Sequence, residues 1–137
     1  LSLAGAQLIV RAMAALERGS LTLTPQPSEG VTYAAKIDKA EAKINFDAPA
    51  AGVHNLVRGL SPFPGAWFED EGQRVKVLHA KADAGSGTAG DVLDDGLLVA
   101  CGTGAVRLTR LQRAGKGQMT MEEFQRGARI GKGRTLT

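Results

Sequence analysis

Basic side chains are concentrated in the C-terminal part of the sequence. From residue 107 onward the chain carries eight arginines and lysines against two carboxylates, a balance of +6, whereas the first 106 residues carry nine basic and twelve acidic groups, a balance of −3. The eight basic residues are Arg107, Arg110, Arg113, Lys116, Arg126, Arg129, Lys132 and Arg134. Arginine suits phosphate because its planar fork can donate two parallel hydrogen bonds. The pattern predicts a polyanion-binding surface, although charge alone leaves an ordinary solvated surface open as the alternative.

The residue types that build enzyme active sites are not assembled into a recognisable set. His54 and His79 fall on different predicted elements, and no cysteine–histidine cluster has the spacing of a metal site. The single Cys101 excludes an intrachain disulfide, and it is predicted to be a buried thiol in a reducing, cytoplasmic environment. No nucleophile, base and orienting group stand together. We therefore expect residues 1–137 to bind no cofactor or metal and to catalyse no reaction alone.

Two glycine-rich stretches match nucleotide-binding motifs without the context that such motifs need. "GSGTAG" (85–90) has the spacing G-x-G-x-x-G, but "DVLDDGLLVAC" after it predicts a turn and a strand. A pyrophosphate site would need a helix there. "GKGQ" around Lys116 has neither the spacing nor the Ser or Thr of a P-loop. Both stretches are interpreted as ordinary loops.

Residues 1–18 predict a helix that is apolar almost all round. Gln7, Arg11 and Arg18 fall on one narrow stripe, and almost every other residue is Leu, Ile, Val, Met or Ala. Such a helix expects neighbours on several sides, and the sequence begins without a methionine. We therefore expect 1–19 to be the last helix of an α/β domain that is otherwise missing. No apolar run is long enough to cross a membrane, and the start lacks the features of a signal peptide.

The segment 20–46 reads as a linker, because "LTLTPQPSEG" contains two prolines and a glycine. A second helix is predicted from about Asp47, which can act as its cap, and it must end before Pro62. Its apolar stripe consists of Val53, Leu56, Val57 and Leu60. Residues 47–137 are expected to form the second domain.

The corner "SPFPGAW", Ser61 to Trp67, must stop this helix and turn the chain into a strand, because neither a helix nor a sheet interior tolerates its prolines. We expect Phe63 and Trp67 to pin the helix onto the sheet. Stacking of Trp67 on a base or ribose is the alternative.

The region after the corner predicts a meander of short strands. "AWFED", "QRVKVLHAKAD", "DVL", "LLVAC" and "AVRLTRLQ" are separated by Gly and Asp turns, which is typical of a small closed barrel. In the second strand Val75 and Val77 share one face, whereas Leu78 starts an apolar pattern on the other face. This switch of phase predicts a bulged or strongly coiled barrel strand. His79 is expected among the apolar barrel residues. In "AVRLTRLQ", Arg107, Thr109 and Leu111 are expected on one face and Arg110 on the other.

The last predicted element is a short helix beginning at Thr120. Thr120 and Glu123 have the spacing of a capping box, and Met119 and Phe124 occupy the hydrophobic staple positions. The helix is expected to end near Gly127. The tail after it is polar and basic, and we expect it to be mobile.

Three stretches carry a resemblance to a known family. "GVTYAAKIDKAEAKINF", "LVRGLSPFPGAWFEDEGQRVKV" and "GLLVACGTGAVRLTRLQRAGKGQMTMEEF" resemble, in this order, the linker and C-terminal domain of bacterial methionyl-tRNA formyltransferases. The helix at 1–18 resembles the last helix of the catalytic domain of those enzymes. The resemblance implies a mainly β fold, similar to an oligonucleotide-binding barrel of five to six strands, with a helix before it and a short helix after it.

The resemblance also implies a function. These enzymes transfer a formyl group from 10-formyltetrahydrofolate to the methionine amino group of initiator methionyl-tRNA, and their catalytic residues lie in an N-terminal domain with no counterpart here. The barrel and linker would hold the tRNA, and Lys36 of "YAAKI" matches a linker lysine beside the tRNA surface. The expected partners are this tRNA and the catalytic domain of the same, monomeric, cytoplasmic enzyme. Two alternatives stay open: the cleft-shaping C-terminal domain of a sugar-nucleotide or folate-dependent formyltransferase, and a structural or interaction barrel.

Overall fold

The computed structural model describes residues 1–137, which divide into two compact units, Leu1–Ala35 and Lys36–Thr137. In the first unit a single helix, α1, spans Ser2–Glu17, close to the predicted 1–18. No residue of α1 is buried, and its large apolar side chains, such as Leu8 and Val10, are exposed. Its assignment to another domain stays a prediction. No helix of the chain has the length and apolar character needed to cross a membrane.

The second unit contains two helices and five antiparallel strands. These are α2 (Ala50–Leu60), β1 (Ala66–Asp70), β2 (Gln73–Asp83), β3 (Leu98–Ala100), β4 (Ala105–Arg113), β5 (Met119–Thr120) and α3 (Met121–Ala128). The strand order in the sheet is β1-β2-β4-β3, and β5 pairs with β4. The predicted mainly β, barrel-like class with a helix before and a short helix after it is confirmed.

The C-terminal tail links the β1 edge of this sheet to the 90–93 segment, which pairs with the β3 edge. Val92 bridges to Val99 of β3, and the neighbouring Asp91 bridges to Thr135. Thr137, two residues after Thr135, accepts a hydrogen bond at its carbonyl from the Glu69 amide of β1. The tail is therefore the segment that closes the barrel, and the expectation of a mobile tail is wrong. Its apolar Ile130 and Leu136 are buried, which explains why it is held in place.

The residues before α2 also pair with the sheet. The Ile44 amide donates to the Trp67 carbonyl, and the Trp67 amide donates to the Ala42 carbonyl. Ala42, Ile44 and Phe46 are buried in the core. The compact unit thus starts at Lys36, upstream of the domain boundary that the sequence predicts at 47, because this segment supplies core side chains to the barrel.

Helix α2 covers the barrel with the predicted apolar stripe. Val53, Val57 and Leu60 are buried, whereas Leu56 is only partly buried. The predicted start at Asp47 is wrong: Pro49 occupies the N-cap position, and no side chain caps the helix. The helix ends at Leu60, before Pro62, as predicted.

The proline corner is a loop held by two backbone hydrogen bonds, and a cis peptide bond precedes each of its two prolines. The Ser61 amide donates to the Val57 carbonyl, and the Gly65 amide donates to the Leu60 carbonyl. Phe63, at the tip of this loop, is 85% exposed, so the expectation that it pins α2 is wrong. Trp67 is buried, and its indole N–H donates to the Lys39 carbonyl at 3.1 Å. Trp67 therefore anchors the segment before α2.

The predicted bulge is confirmed, and it affects two strands. Between β2 and β4 the register runs from the Val77–Leu111 pair to His79–Arg110 and then to Ala80–Leu108, which leaves Leu78 and Thr109 as extra residues. Consecutive Val77 and Leu78 are both buried, whereas His79 is exposed rather than part of the core. Leu111 is likewise buried and does not share a face with Arg107, because the bulge at Thr109 reverses the alternation.

Helix α3 has the predicted N-terminus. The Thr120 hydroxyl accepts from the Glu123 amide, and the Glu123 carboxylate accepts from the Thr120 amide, which completes the capping box. Phe124 is buried and Met119 packs against the core, as the staple requires. The helix ends at Ala128, one residue beyond the predicted Gly127.

Candidate nucleic-acid interface

An open groove of about 480 Å³ lies on the outer face of the sheet where the bulges of β2 and β4 meet the proline corner. Its lining residues are Ser61, Pro62, Leu78, His79, Lys81, Thr109, Arg110 and Gln118. At the bulges, the in–out alternation of side chains is interrupted on both strands, and the groove lies at this interruption. They bring His79 and Arg110, which are register partners, to the exposed side.

A second open groove of about 460 Å³ lies between the β4–β5 loop and α3. It is lined by Lys116, Gly117, Gln118, Met119, Glu123 and Arg126. Gln118 lines both grooves, so they are adjacent. We call the two together the basic surface.

The basic surface has an excess of free positive charge. Lys81, Arg110, Lys116 and Arg126 line it, and none of the four forms an ion pair within the chain. Its one carboxylate, Glu123, already accepts the Thr120 amide at the start of α3. Among the lining residues, four cations against one carboxylate leave a charge of +3, and Glu122, beside the lining, interacts with Arg126. Such a surface can attract a polyanion without first breaking internal salt bridges.

A polar pair in the first groove is fixed by its own hydrogen bonds. The Thr109 hydroxyl donates to the His79 carbonyl at 3.2 Å, and the same oxygen contacts His79 Nδ1. Both contacts engage the Nδ1 side of the residue, so that side of the ring is occupied within the chain. The Nε2 atom is then the nitrogen of His79 that stays available for an external partner.

Arg107 is engaged within the protein and does not line the basic surface. Its guanidinium contacts the Asp83 carboxylate at 3.3 Å and the Asp94 carboxylate at 2.9 Å, and it donates to the Gly96 carbonyl at 3.1 Å. The hydrogen bond from Arg107 lowers the pKa of Asp94, and the same bond raises the pKa of Arg107. This cluster braces a turn in which buried Leu97 has a positive φ of 55°.

Arg134 and Arg113 also have internal partners. Arg134 contacts Asp70 at 2.8 Å and Glu71 at 2.7 Å, and it thereby holds the tail to the β1–β2 turn. The Arg113 guanidinium lies 5.0 Å from the centre of the Phe124 ring, a cation–π contact between β4 and α3.

The remaining predicted contacts are exposed but lie outside both grooves. Arg129 is the left-handed C-cap residue of α3, the Lys132 amide is 3.4 Å from Asp95, and Lys36 begins the unit. The structure thus brings together Arg110, Lys116 and Arg126 of the nine predicted residues. Their contact with nucleic acid stays a prediction, as it does for Lys36, Arg107, Arg113, Arg129, Lys132 and Arg134.

Sequence reasoning missed Lys81, His79, Ser61 and Gln118 as groove residues. Lys81 stands outside the basic C-terminal cluster, and only the phase switch in β2 signals that it shares the exposed side with His79. Gln118 has no sequence signal, because it reaches the site by lying at the junction of a loop and a two-residue strand.

The basic surface contains neither a metal-binding cluster nor the cysteine of the chain. No group of three His, Cys, Asp or Glu residues in the chain could hold a metal ion. Cys101 is buried as predicted, and burial raises the pKa of its thiol, so it is a poor source of thiolate.

Comparison with known proteins matches the barrel unit to a described domain family. The family model "Formyl transferase, C-terminal domain" matches residues 36–129. A methionyl-tRNA formyltransferase from Rhodopseudomonas palustris (strain TIE-1) is 62% identical over 133 residues, which cover 94% of this chain and 43% of that protein. One from Chelativorans sp. (strain BNC1) is 54% identical, with 100% of this chain and 45% of that protein covered.

The fold recurs in a solved structure of a more distant protein. HypX from Aquifex aeolicus in complex with tetrahydrofolic acid matches with a TM-score of 0.67 at 20% identity, over 96% of this chain and 26% of that one. At this identity the match shows a shared fold. The chain spans less than half the length of the curated relatives above. The family model matches more than half of the chain and most of the barrel unit. The chain therefore belongs to the formyl transferase C-terminal domain family.

Proposed function

We propose that Lys36–Thr137 is the tRNA-holding part of a methionyl-tRNA formyltransferase. The whole enzyme would transfer a formyl group from 10-formyltetrahydrofolate to the methionine of initiator methionyl-tRNA. The names of the relatives support the enzyme class. The observation that carries the role of this unit is the basic surface, with four unpaired cations around two adjacent grooves.

The chemistry of the basic surface fits a phosphate backbone better than a small molecule. Its cations are spread over β2, β4, the β4–β5 loop and α3, and both grooves are open. A structured RNA is read mainly through its backbone and shape, which a rigid scaffold of separated cations can match. Arginine at 110 and 126 can bind phosphate oxygens with two hydrogen bonds each.

The formyl transfer itself is assigned to the catalytic domain of the same polypeptide. Neither groove is an enclosed apolar slot of the kind that a planar pterin ring would need. The basic surface therefore does not fit the formyl donor. It would hold and orient the tRNA, in a monomeric, cytoplasmic enzyme, so that its aminoacyl end reaches the catalytic domain.

The test is a titration of initiator tRNA with the 137-residue chain over a series of salt concentrations. Each neutralised phosphate contributes about 0.9 to the slope of log affinity against log salt on a duplex, so four contacts give a slope of roughly 3 to 4. Arg110→Gln with Arg126→Gln should lower this slope by about 2.

A matched control removes two exposed charges outside the grooves. Arg129→Gln with Lys132→Gln changes the net charge by the same amount, and it should leave most of the slope in place. Absence of saturable tRNA binding by the wild-type chain at low salt would refute the proposed function. It would favour the cleft-shaping or structural barrels of the alternatives.

A further inference from the structure

Phe63 is the exception among the aromatic side chains of the barrel unit. Phe46, Trp67, Phe68 and Phe124 are all buried, whereas Phe63 is 85% exposed. It sits neither on an apolar patch of the unit nor against a charged side chain in a cation–π contact. Single exposed apolar side chains are common on protein surfaces, so what distinguishes Phe63 is its rigid loop and its place beside the basic surface.

The backbone around Phe63 is held rigidly. It lies between Pro62 and Pro64, whose rings fix their own φ angles. The loop is closed at its base by the bond from the Gly65 amide to the Leu60 carbonyl at 2.9 Å. Only the two side-chain torsions of Phe63 remain to be fixed when a partner binds. The entropy lost on binding is therefore small, as in aromatic binding platforms on rigid loops.

Phe63 is also at the rim of the basic surface. Its neighbours Ser61 and Pro62 line the first groove, together with Lys81 and Arg110. An exposed ring beside unpaired cations is the combination by which proteins hold single-stranded nucleic acid: cations contact the backbone, and the ring stacks on a base. A fully paired helix keeps its bases stacked on one another and offers no free face to such a ring.

We propose that Phe63 is a stacking platform for an unpaired nucleobase of the RNA that lies across the basic surface. The inference rests on the proposed function, because the cations must first hold the RNA backbone nearby. It adds a selectivity that the cations cannot supply, namely for RNA with an unpaired base next to a structured stem. Stacking on a phenyl ring tolerates any base, so no sequence preference is expected.

The experiment compares three proteins on two probes. Wild type, Phe63→Ala and Phe63→Leu are each titrated with initiator tRNA and with a fully paired RNA duplex of similar length, by fluorescence anisotropy. We expect Phe63→Ala to bind the tRNA roughly 5- to 100-fold more weakly, with an unchanged salt slope and unchanged duplex affinity. Phe63→Leu should be nearly as weak, because leucine keeps apolar area but has no π face.

A Phe63→Trp variant gives a second readout. Its new indole is exposed, whereas the native Trp67 is 8% exposed and serves as the internal reference in wild type. Saturating tRNA should quench the added emission and leave the wild-type emission nearly constant. Thermal melts should be unchanged in all variants, since Phe63 contributes little to the core.

Each outcome separates the two proposals. If wild type binds tRNA with the expected slope but Phe63→Ala binds equally well, the platform is refuted and the proposed function stands. If Phe63→Leu restores full affinity, the contact is an apolar one and the stacking proposal is refuted. If wild type binds neither probe, the proposed function fails, and the platform fails with it.

Discussion

Replacing Arg107 tests whether this residue stabilises the fold rather than binding RNA. The Arg107→Ala variant loses two ion pairs, to Asp83 at 3.3 Å and to Asp94 at 2.9 Å, and one hydrogen bond to the Gly96 carbonyl at 3.1 Å. The guanidinium is 32% exposed, and the two carboxylates are 45% and 42% exposed. Solvent therefore screens these pairs, and each is worth about 0.2 to 1 kcal/mol.

The expected loss of stability follows from these contacts. Two screened pairs and one hydrogen bond, which together brace the turn with Leu97 at φ 55°, amount to about 1 to 2 kcal/mol. For a unit of roughly 100 residues this lowers the melting temperature by about 5 to 15 °C. Arg107→Lys keeps the charge but not the planar fork, so we expect about half of this loss.

The assay pairs thermal melts with the tRNA salt series. Arg107→Ala should melt earlier than wild type, yet below the melting transition its salt slope should match wild type. Arg110→Ala, on the same strand but without an internal ion pair, is the matched control and should show the opposite result. Wild-type stability of Arg107→Ala together with a lowered salt slope would refute the assignment and return Arg107 to the RNA interface, as the sequence suggests.

Two further predictions follow from the fold. The pKa of Asp94 is depressed in the folded protein, mainly by the hydrogen bond from Arg107, so its stabilising contribution is present above the ordinary value of 3.8 and is lost as the pH falls through the folded pKa. The free energies of unfolding of wild type and Asp94→Asn, measured by urea denaturation, should therefore differ at pH 7 and converge at strongly acidic pH. A difference that stays constant with pH would contradict this. Removing 133–137 takes away buried Leu136 and the bonds to Glu69, so we expect a loss of about 2 to 4 kcal/mol in the same assay; wild-type stability would mean that the barrel does not need its tail.

Elements marked by a local pattern of apolar or capping residues could be predicted from the sequence, whereas those held by a few long-range contacts could not. The stripe from Val53 to Leu60 and the capping box at Thr120 are local patterns, and the bulge shows itself as a change of phase in β2. The closing tail has no such pattern. Its bonds to Asp91 and Glu69 are long-range, and its buried Leu136 stands alone among polar residues.

The candidate site was predictable only in part, for a related reason. Charge density along the chain points to Arg110, Lys116 and Arg126, but it also includes Arg107 and Arg134, whose carboxylate partners come from distant turns. Lone residues such as Lys81, on β2, enter the site through strand pairing. Whether an aromatic ring at a proline corner faces the core or the solvent depends on the hydrogen bonds that close the loop. The sequence "SPFPG" does not specify those bonds.

The closure of the barrel by its tail has a consequence for biosynthesis. Strand β1 pairs with β2 on one side and with Ala42 and Ile44 on the other, and all of these residues are synthesised before or soon after it. On that second side, however, Glu69 pairs with Thr137. During translation, the outer edge of β1 at Glu69 and the outer edge of the 90–93 segment, which pairs with β3, would stay open until residue 137 has left the ribosome. A nascent chain would therefore expose two unpaired strand edges for the time needed to synthesise α3 and the tail, and such edges are where neighbouring chains can add strands. Slow codons between residues 113 and 137 would lengthen that interval and lower the yield of correctly closed barrel.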